Sequence, residues 1–157
     1  MNNICKKFAL PFAFLVSVIA MSGSLFFSEV WKLPPCVLCW YQRIAMYPLV
    51  AIFFVGLVKR DKDVHYYAYP LAIIGWLIAA YHNLLYYNII PESNAPCVAG
   101  VSCTTKFFEW FGFITIPFLS LAGFSLILIA LYCYQRAIGK KSRTTEPEDN
   151  DAREAAA

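Results

Sequence analysis

Charge is scarce in this sequence. Of its 157 residues 15% are charged and 60% are hydrophobic, where an ordinary globular domain carries roughly 25% charged residues. No polar stretch is long enough to hold a separate soluble core, so a single domain is expected. Four apolar runs instead reach the length of about 20 residues that a helix needs to cross a bilayer: residues 8–28, 40–58, 66–90 and 113–134. The expected fold is all-α, an integral membrane four-helix bundle with two short outward-facing loops. Residues 1–138 would form the four-span domain and residues 139–157 a polar, disordered cytoplasmic tail.

Basic residues are also missing from particular places. Between the first two runs stands only Lys32, and between the last two only Lys106. By contrast Lys6 and Lys7 precede the first run, Lys59, Arg60 and Lys62 separate the second from the third, and Arg136, Lys140, Lys141 and Arg143 follow the fourth. Lysine and arginine collect on the cytoplasmic side of a membrane, so both termini and the middle connection are expected to be cytoplasmic. The net charge of +3 follows from this distribution and does not point to nucleic acid. The first run, with Ser22-Gly23-Ser24 near its end, could be taken for a secretory signal. It continues through Phe27, beyond the 7–15 apolar residues typical of a signal, and a retained span is the better expectation.

The chemistry concentrates in Pro34-Pro35-Cys36-Val37-Leu38-Cys39-Trp40-Tyr41-Gln42-Arg43, at the mouth of the second run. Pro35 suits the first turn of a helix. Cys36, Cys39 and Arg43 then stand three and four residues apart on one face, where the helix N-terminus and the guanidinium favour a thiolate at Cys39. Zinc would need two more ligands close by, and the arginine would repel it, so a redox-active pair with no bound metal fits better. Of the six cysteines, Cys36, Cys39, Cys97 and Cys103 fall on the outward side, where disulfides persist, and Cys5 and Cys133 at the cytoplasmic ends. Four cysteines allow three pairings; local spacing favours Cys36–Cys39 and Cys97–Cys103. The loop around Cys97 and Cys103 is rich in turn residues, and a mobile, exposed disulfide there could receive electrons or simply staple the loop. The aromatic stretch that follows, Phe107 to Phe111, is expected to lie along the outer membrane surface. Tyrosines near both ends of the third run fit interfacial belts. His82 lies about two turns from the outward end of that run, either bonded to a neighbouring helix or part of a site.

The Cys36–Arg43 motif, with a second cysteine pair in the next outward loop, resembles the DsbB family of thiol:quinone oxidoreductases. The short Cys97–Cys103 spacing and Val101-Ser102-Cys103-Thr104 look most like its BdbC branch. That resemblance implies a multi-pass protein of the bacterial cytoplasmic (inner) membrane that reoxidises a DsbA-like thioredoxin-fold thiol oxidase. Electrons would pass from Cys97–Cys103 to Cys36–Cys39 and then to the membrane quinone pool, menaquinone or ubiquinone. In this scheme Cys97 joins the partner, Cys103 attacks Cys36, and Cys39 is released toward the quinone. Arg43 matches the family's arginine near the quinone, and His82 is a further candidate there. Two other classes remain: a VKOR-type enzyme, in which the loop cysteines precede the motif rather than follow it, and a structural or metal-binding membrane subunit whose outward cysteines are staples or ligands.

Overall fold

The computed structural model describes residues 2–32, 35–90 and 115–145, with side chains described over 8–32, 35–90 and 115–138. Four helices fill these segments: α1 (Asn2–Glu29), α2 (Val37–Lys59), α3 (Val64–Tyr86) and α4 (Ile116–Thr145). Each contains a span of 22 or 23 residues that is long and apolar enough to cross a membrane. The chain is thus an all-α membrane four-helix bundle, as its apolar runs indicate. Consecutive helices pack side by side, and α4 closes the ring against α1.

Lipid is as apolar as leucine, so close packing rather than a hydrophobic drive must hold such helices together. α3 meets this need with Ala68, Ala72, Gly75 and Ala79, a stripe of small buried residues at helical spacing. Phe53 of α2 and Phe124, Ile127 and Leu131 of α4 are buried in the same core. Large side chains such as Ile19, Phe54, Leu77 and Ile129 point outward on all four helices, as a lipid-facing surface requires. Pro11, Pro48 and Pro70 lie inside helices; membrane helices tolerate this when neighbours satisfy the freed backbone groups.

Gly75 marks the closest approach of α3 and α4. A Cβ there would stand 2.9 Å from Cδ1 of Phe124 and closer still to Cε1 and Cζ of the same ring. Gly75→Ala should therefore overpack the core and destabilise the bundle by about 1–3 kcal/mol. At Gly123, where an added Cβ meets nothing within 4 Å, the same change should be close to neutral. Unfolding midpoints of the two variants in detergent check the contrast; equal midpoints would remove Gly75 from the tight contact.

Of the four helix C-termini, those of α3 and α4 depart by more than one residue from the boundaries drawn on hydrophobicity. The third run extends to residue 90, but α3 stops at Tyr86 because Asn88 adopts φ 55°. There the N–H of Asn88 reaches the carbonyl of Leu85 and that of Ile89 reaches Leu84, both at 3.0 Å, a left-handed helix stop that asparagine tolerates. α4 runs on through Thr145, past Ile138 where the apolar pattern ends the domain. Helix-favouring Lys140, Lys141 and Arg143 let the backbone continue into the polar part expected to be disordered. The rest of that tail, together with the loop holding Cys97 and Cys103 and the aromatic stretch after it, lies outside the described residues.

At one end of the bundle α2 and α3 are joined by a tight turn. Arg60 takes φ 52°, the Asp63 N–H donates to Asp61 Oδ1 at 2.8 Å, and the Tyr134 hydroxyl of α4 donates to the Asp61 carbonyl at 3.1 Å. The opposite end gathers the C-termini of α1 and α3 with the N-termini of α2 and α4. Asn83 stitches α3 to α4 there, its amide donating to the carbonyls of Ala79 and Pro117, each at 2.8 Å.

Candidate functional site

At that second end Cys36 caps α2. Its backbone is extended (φ −70°, ψ 168°), and its sulfur accepts from the Cys39 N–H at 3.4 Å, filling the place that a serine or aspartate usually takes. The helix therefore begins just after Pro35 and Cys36 rather than enclosing them. One turn on, the Cys39 sulfur lies 2.9 Å from that of Cys36, and both cysteines are free thiols. Spacing alone places the stabilised thiolate at Cys39, but the helix-end N–H is directed at Cys36. The Cys39 thiol hydrogen bond brings the Cys36 thiol down to about 4, against the opposing effect of burial, with His82 adding to the fall.

His82 reaches this pair from α3. It is almost fully buried, with Nε2 3.7 Å from the Cys36 sulfur and Nδ1 3.1 Å from the Gln42 side-chain amide. The two sequence-level explanations for this histidine thus meet, since it bonds a neighbouring helix and the groups it bonds belong to the cysteine motif. Arg43, one turn below Cys39, turns toward α1. Its Nε donates to Ser24 Oγ at 2.8 Å, and one terminal nitrogen donates to the Ser24 carbonyl at 2.8 Å and to Ser28 Oγ. Its guanidinium carbon also stands 5.5 Å from the Trp40 ring centroid.

These groups share the wall of one cavity of about 520 Å³ between α1, α2 and α4, closed on one side by the end of α3. Cys36, Cys39, Gln42, Arg43 and His82 supply a polar corner, while residues such as Val16, Phe27, Met46 and Leu119 make the rest apolar. A pocket of this size with few convergent polar groups suits a small, largely hydrophobic molecule. Among the described residues, a Cβ added at Gly23 of α1 or Gly123 of α4, both on its wall, would meet nothing within 4 Å. The structure thus brings Cys36, Cys39, Arg43 and His82 together, while Cys97 and Cys103 lie outside the described residues.

Sequence inspection misses Gln42, Ser24 and Ser28. Gln42 carries a signal, as a polar residue buried in an apolar run three positions after Cys39. The serines stand four apart on one face of α1, but only the fold shows that an arginine of the next helix lies opposite them.

Comparison with known proteins identifies the family. The family model described as "Disulfide bond formation protein DsbB" matches residues 6–135. "Probable disulfide formation protein C 2" of Bacillus anthracis is 47% identical over 134 residues, covering 85% of this chain and 94% of the relative. "Disulfide bond formation protein C" of Bacillus subtilis is 50% identical over 119 residues, 74% of this chain and 85% of the relative. The corresponding protein of Halalkalibacterium halodurans is 44% identical over 117 residues, with the same coverage. No solved structure matches the chain. The family model reaches into all four helices and includes the cysteine motif at the cavity, so this chain belongs to the DsbB family, and its relatives place it on the disulfide formation protein C side of that family.

Proposed function

We propose that this protein is a thiol:quinone oxidoreductase of the bacterial cytoplasmic membrane. It reoxidises a thioredoxin-fold dithiol oxidase on the outer side and so sustains disulfide formation in exported proteins. Both termini face the cytoplasm, which puts the cavity end of the bundle outward, in line with the lysine and arginine distribution.

The cavity is the observation that carries this function: a largely apolar space whose polar corner holds two thiols, a histidine and an arginine. A quinone fits such a space, with Arg43 as the donor that would hold one of its oxygens, His82 on the wall beside the sulfurs, and apolar side chains around the ring. Bound there, it supplies a two-electron, two-proton acceptor. The protein's own thiols do the rest. A partner thiolate attacks the Cys97–Cys103 disulfide at Cys97, Cys103 is freed, and Cys103 in turn attacks Cys36 of the oxidised Cys36–Cys39 pair and releases Cys39 beside the cavity. The partner's second thiol then attacks the partner sulfur joined to Cys97 and frees Cys97, which attacks Cys103, restores the Cys97–Cys103 disulfide and releases Cys36 as the thiolate of the now reduced pair. At 2.9 Å from the Cys39 sulfur, Cys36 is poised to remake the Cys36–Cys39 bond as two electrons leave. Arg43, fixed on the serines of α1, keeps a positive charge at the corner where negative charge develops.

An anaerobic assay with purified protein, a reduced thioredoxin-fold partner and candidate quinones tests the proposal through loss of quinone absorbance. No quinone-dependent oxidation of the dithiol would leave the metal-binding or structural subunit as the surviving alternative. In the same assay Arg43→Ala should raise the quinone KM or lower kcat, about 10-fold or more in kcat/KM for one lost charged hydrogen bond. It should leave the protein folded, since Arg43 is only partly buried. Unchanged quinone kinetics would remove Arg43 from the site.

A further inference from the structure

Zinc is disfavoured at Cys36 and Cys39 by sequence because two further ligands are not close by along the chain. The fold supplies one of them. The sulfurs of Cys36 and Cys39 and a ring nitrogen of His82 all lie within 4.8 Å of one another. In a tetrahedral zinc site, bonds of about 2.3 Å to sulfur and about 2.0–2.1 Å to nitrogen space two sulfurs about 3.8 Å apart and sulfur from nitrogen about 3.6 Å. The Cys36 to His82 separation is already 3.7 Å. The sulfurs, at 2.9 Å, need open by less than 1 Å, within reach of a small rotation at Cys39.

Three further observations support a ligand set. His82 is held at its other nitrogen by Gln42 at 3.1 Å. With the carboxamide turned end over end, its oxygen accepts from Nδ1–H and leaves the Nε2 lone pair facing the sulfurs, as the outer partners of metal-bound histidines do. Two thiolates cancel a divalent charge, and Arg43 is committed to three acceptors on α1, so the arginine faces a neutral centre. All three ligand residues line the cavity, which leaves a fourth position open to water or a small ligand.

We propose that the reduced protein binds one soft divalent cation of the zinc class at Cys36, Cys39 and His82. Binding displaces the thiol protons that the reduced pair still carries and moves no electrons. The same sulfurs cannot hold a metal and a disulfide at once, so occupancy is confined to the reduced state. Resting on the thiol:quinone function proposed above, the metal would act as an inhibitor that holds the enzyme reduced.

Cobalt(II) is the probe, added anaerobically to protein reduced with a phosphine. One ion per chain should bind with the visible bands of tetrahedral cobalt and thiolate charge-transfer absorption, and zinc should displace it. Oxidised protein should give neither band. The Cys97→Ser/Cys103→Ser protein should keep both, His82→Ala should lose the tetrahedral bands, and Gln42→Leu should weaken binding about 10- to 100-fold. Bands in the oxidised protein, their loss in the Cys97→Ser/Cys103→Ser protein, or unchanged affinity in both His82→Ala and Gln42→Leu would overturn the site. Quinone reduction in the metal-free preparation tests the enzymatic function separately. Its absence leaves the cobalt result standing, whereas quinone reduction unaffected by zinc at saturating occupancy overturns the inhibitory role.

Discussion

Cys39→Ser is expected to abolish thiol-driven quinone reduction, lowering turnover by at least about 10³-fold, the order seen when a member of a nucleophilic unit is removed. The reason is geometric. Cys39 and Cys36 sit one turn apart with their sulfurs 2.9 Å apart, and either serine leaves the other sulfur without the partner it must bond. Cys36→Ser should cost as much, and the double variant no more than either alone, because the pair acts as a unit. Serine is nearly isosteric with cysteine and can still cap α2, so fold and detergent stability should be retained. Stopped-flow or steady-state loss of quinone absorbance reads the effect. Turnover within tenfold of the parent in either single variant would exclude the helix-end pair from the electron path.

The second large effect concerns the order in which the loop cysteines act. In a Cys103→Ser protein, the Cys97 sulfur has no loop partner, so a thioredoxin-fold partner joined to it is released chiefly by attack from its own second cysteine. With that cysteine also replaced, a covalent complex should accumulate, visible as a reductant-sensitive band of summed mass; the two electrons and two protons lost by its thiols pass through the Cys36–Cys39 pair to quinone. Steady-state turnover should fall to background. Replacing Cys97 as well should abolish the complex. A complex in Cys97→Ser but not in Cys103→Ser would reverse the two roles. If only a Cys36 or Cys39 variant traps the partner, the helix-end pair meets it directly and the loop pair is a staple.

What sequence reveals here follows from distance along the chain. Cys36, Cys39 and Arg43 are linked by helical spacing within eight residues, and the fold keeps all three on one cavity wall. Arg43's acceptors, Ser24 and Ser28, lie on a different helix and are invisible to spacing. His82 is conspicuous as a polar group in an apolar run, but its bonds to Cys36 and Gln42 depend on how α3 rotates against α2, which spacing along the chain does not reveal. The thiolate assignment shifts for a local reason, since the start of α2 falls one residue after Cys36 and hands that sulfur the cap position. Hydropathy overran the end of α3 because Tyr87, Ile89 and Ile90 are as apolar as a span, while the stop is a backbone event at Asn88.

The turn between α2 and α3 bears on how the protein can be handled. A backbone turned by Arg60 at φ 52°, an aspartate that closes its own turn, and a tyrosine from α4 clasping the Asp61 carbonyl leave no slack between the two spans. A protease site or fluorescent reporter spliced between residues 60 and 63 would have to break all three ties and would pull α4 off the hairpin. α2 and α3 are therefore best treated as one indivisible unit when chimaeras with relatives are built, with exchange points placed in the connection between α1 and α2 rather than in this turn.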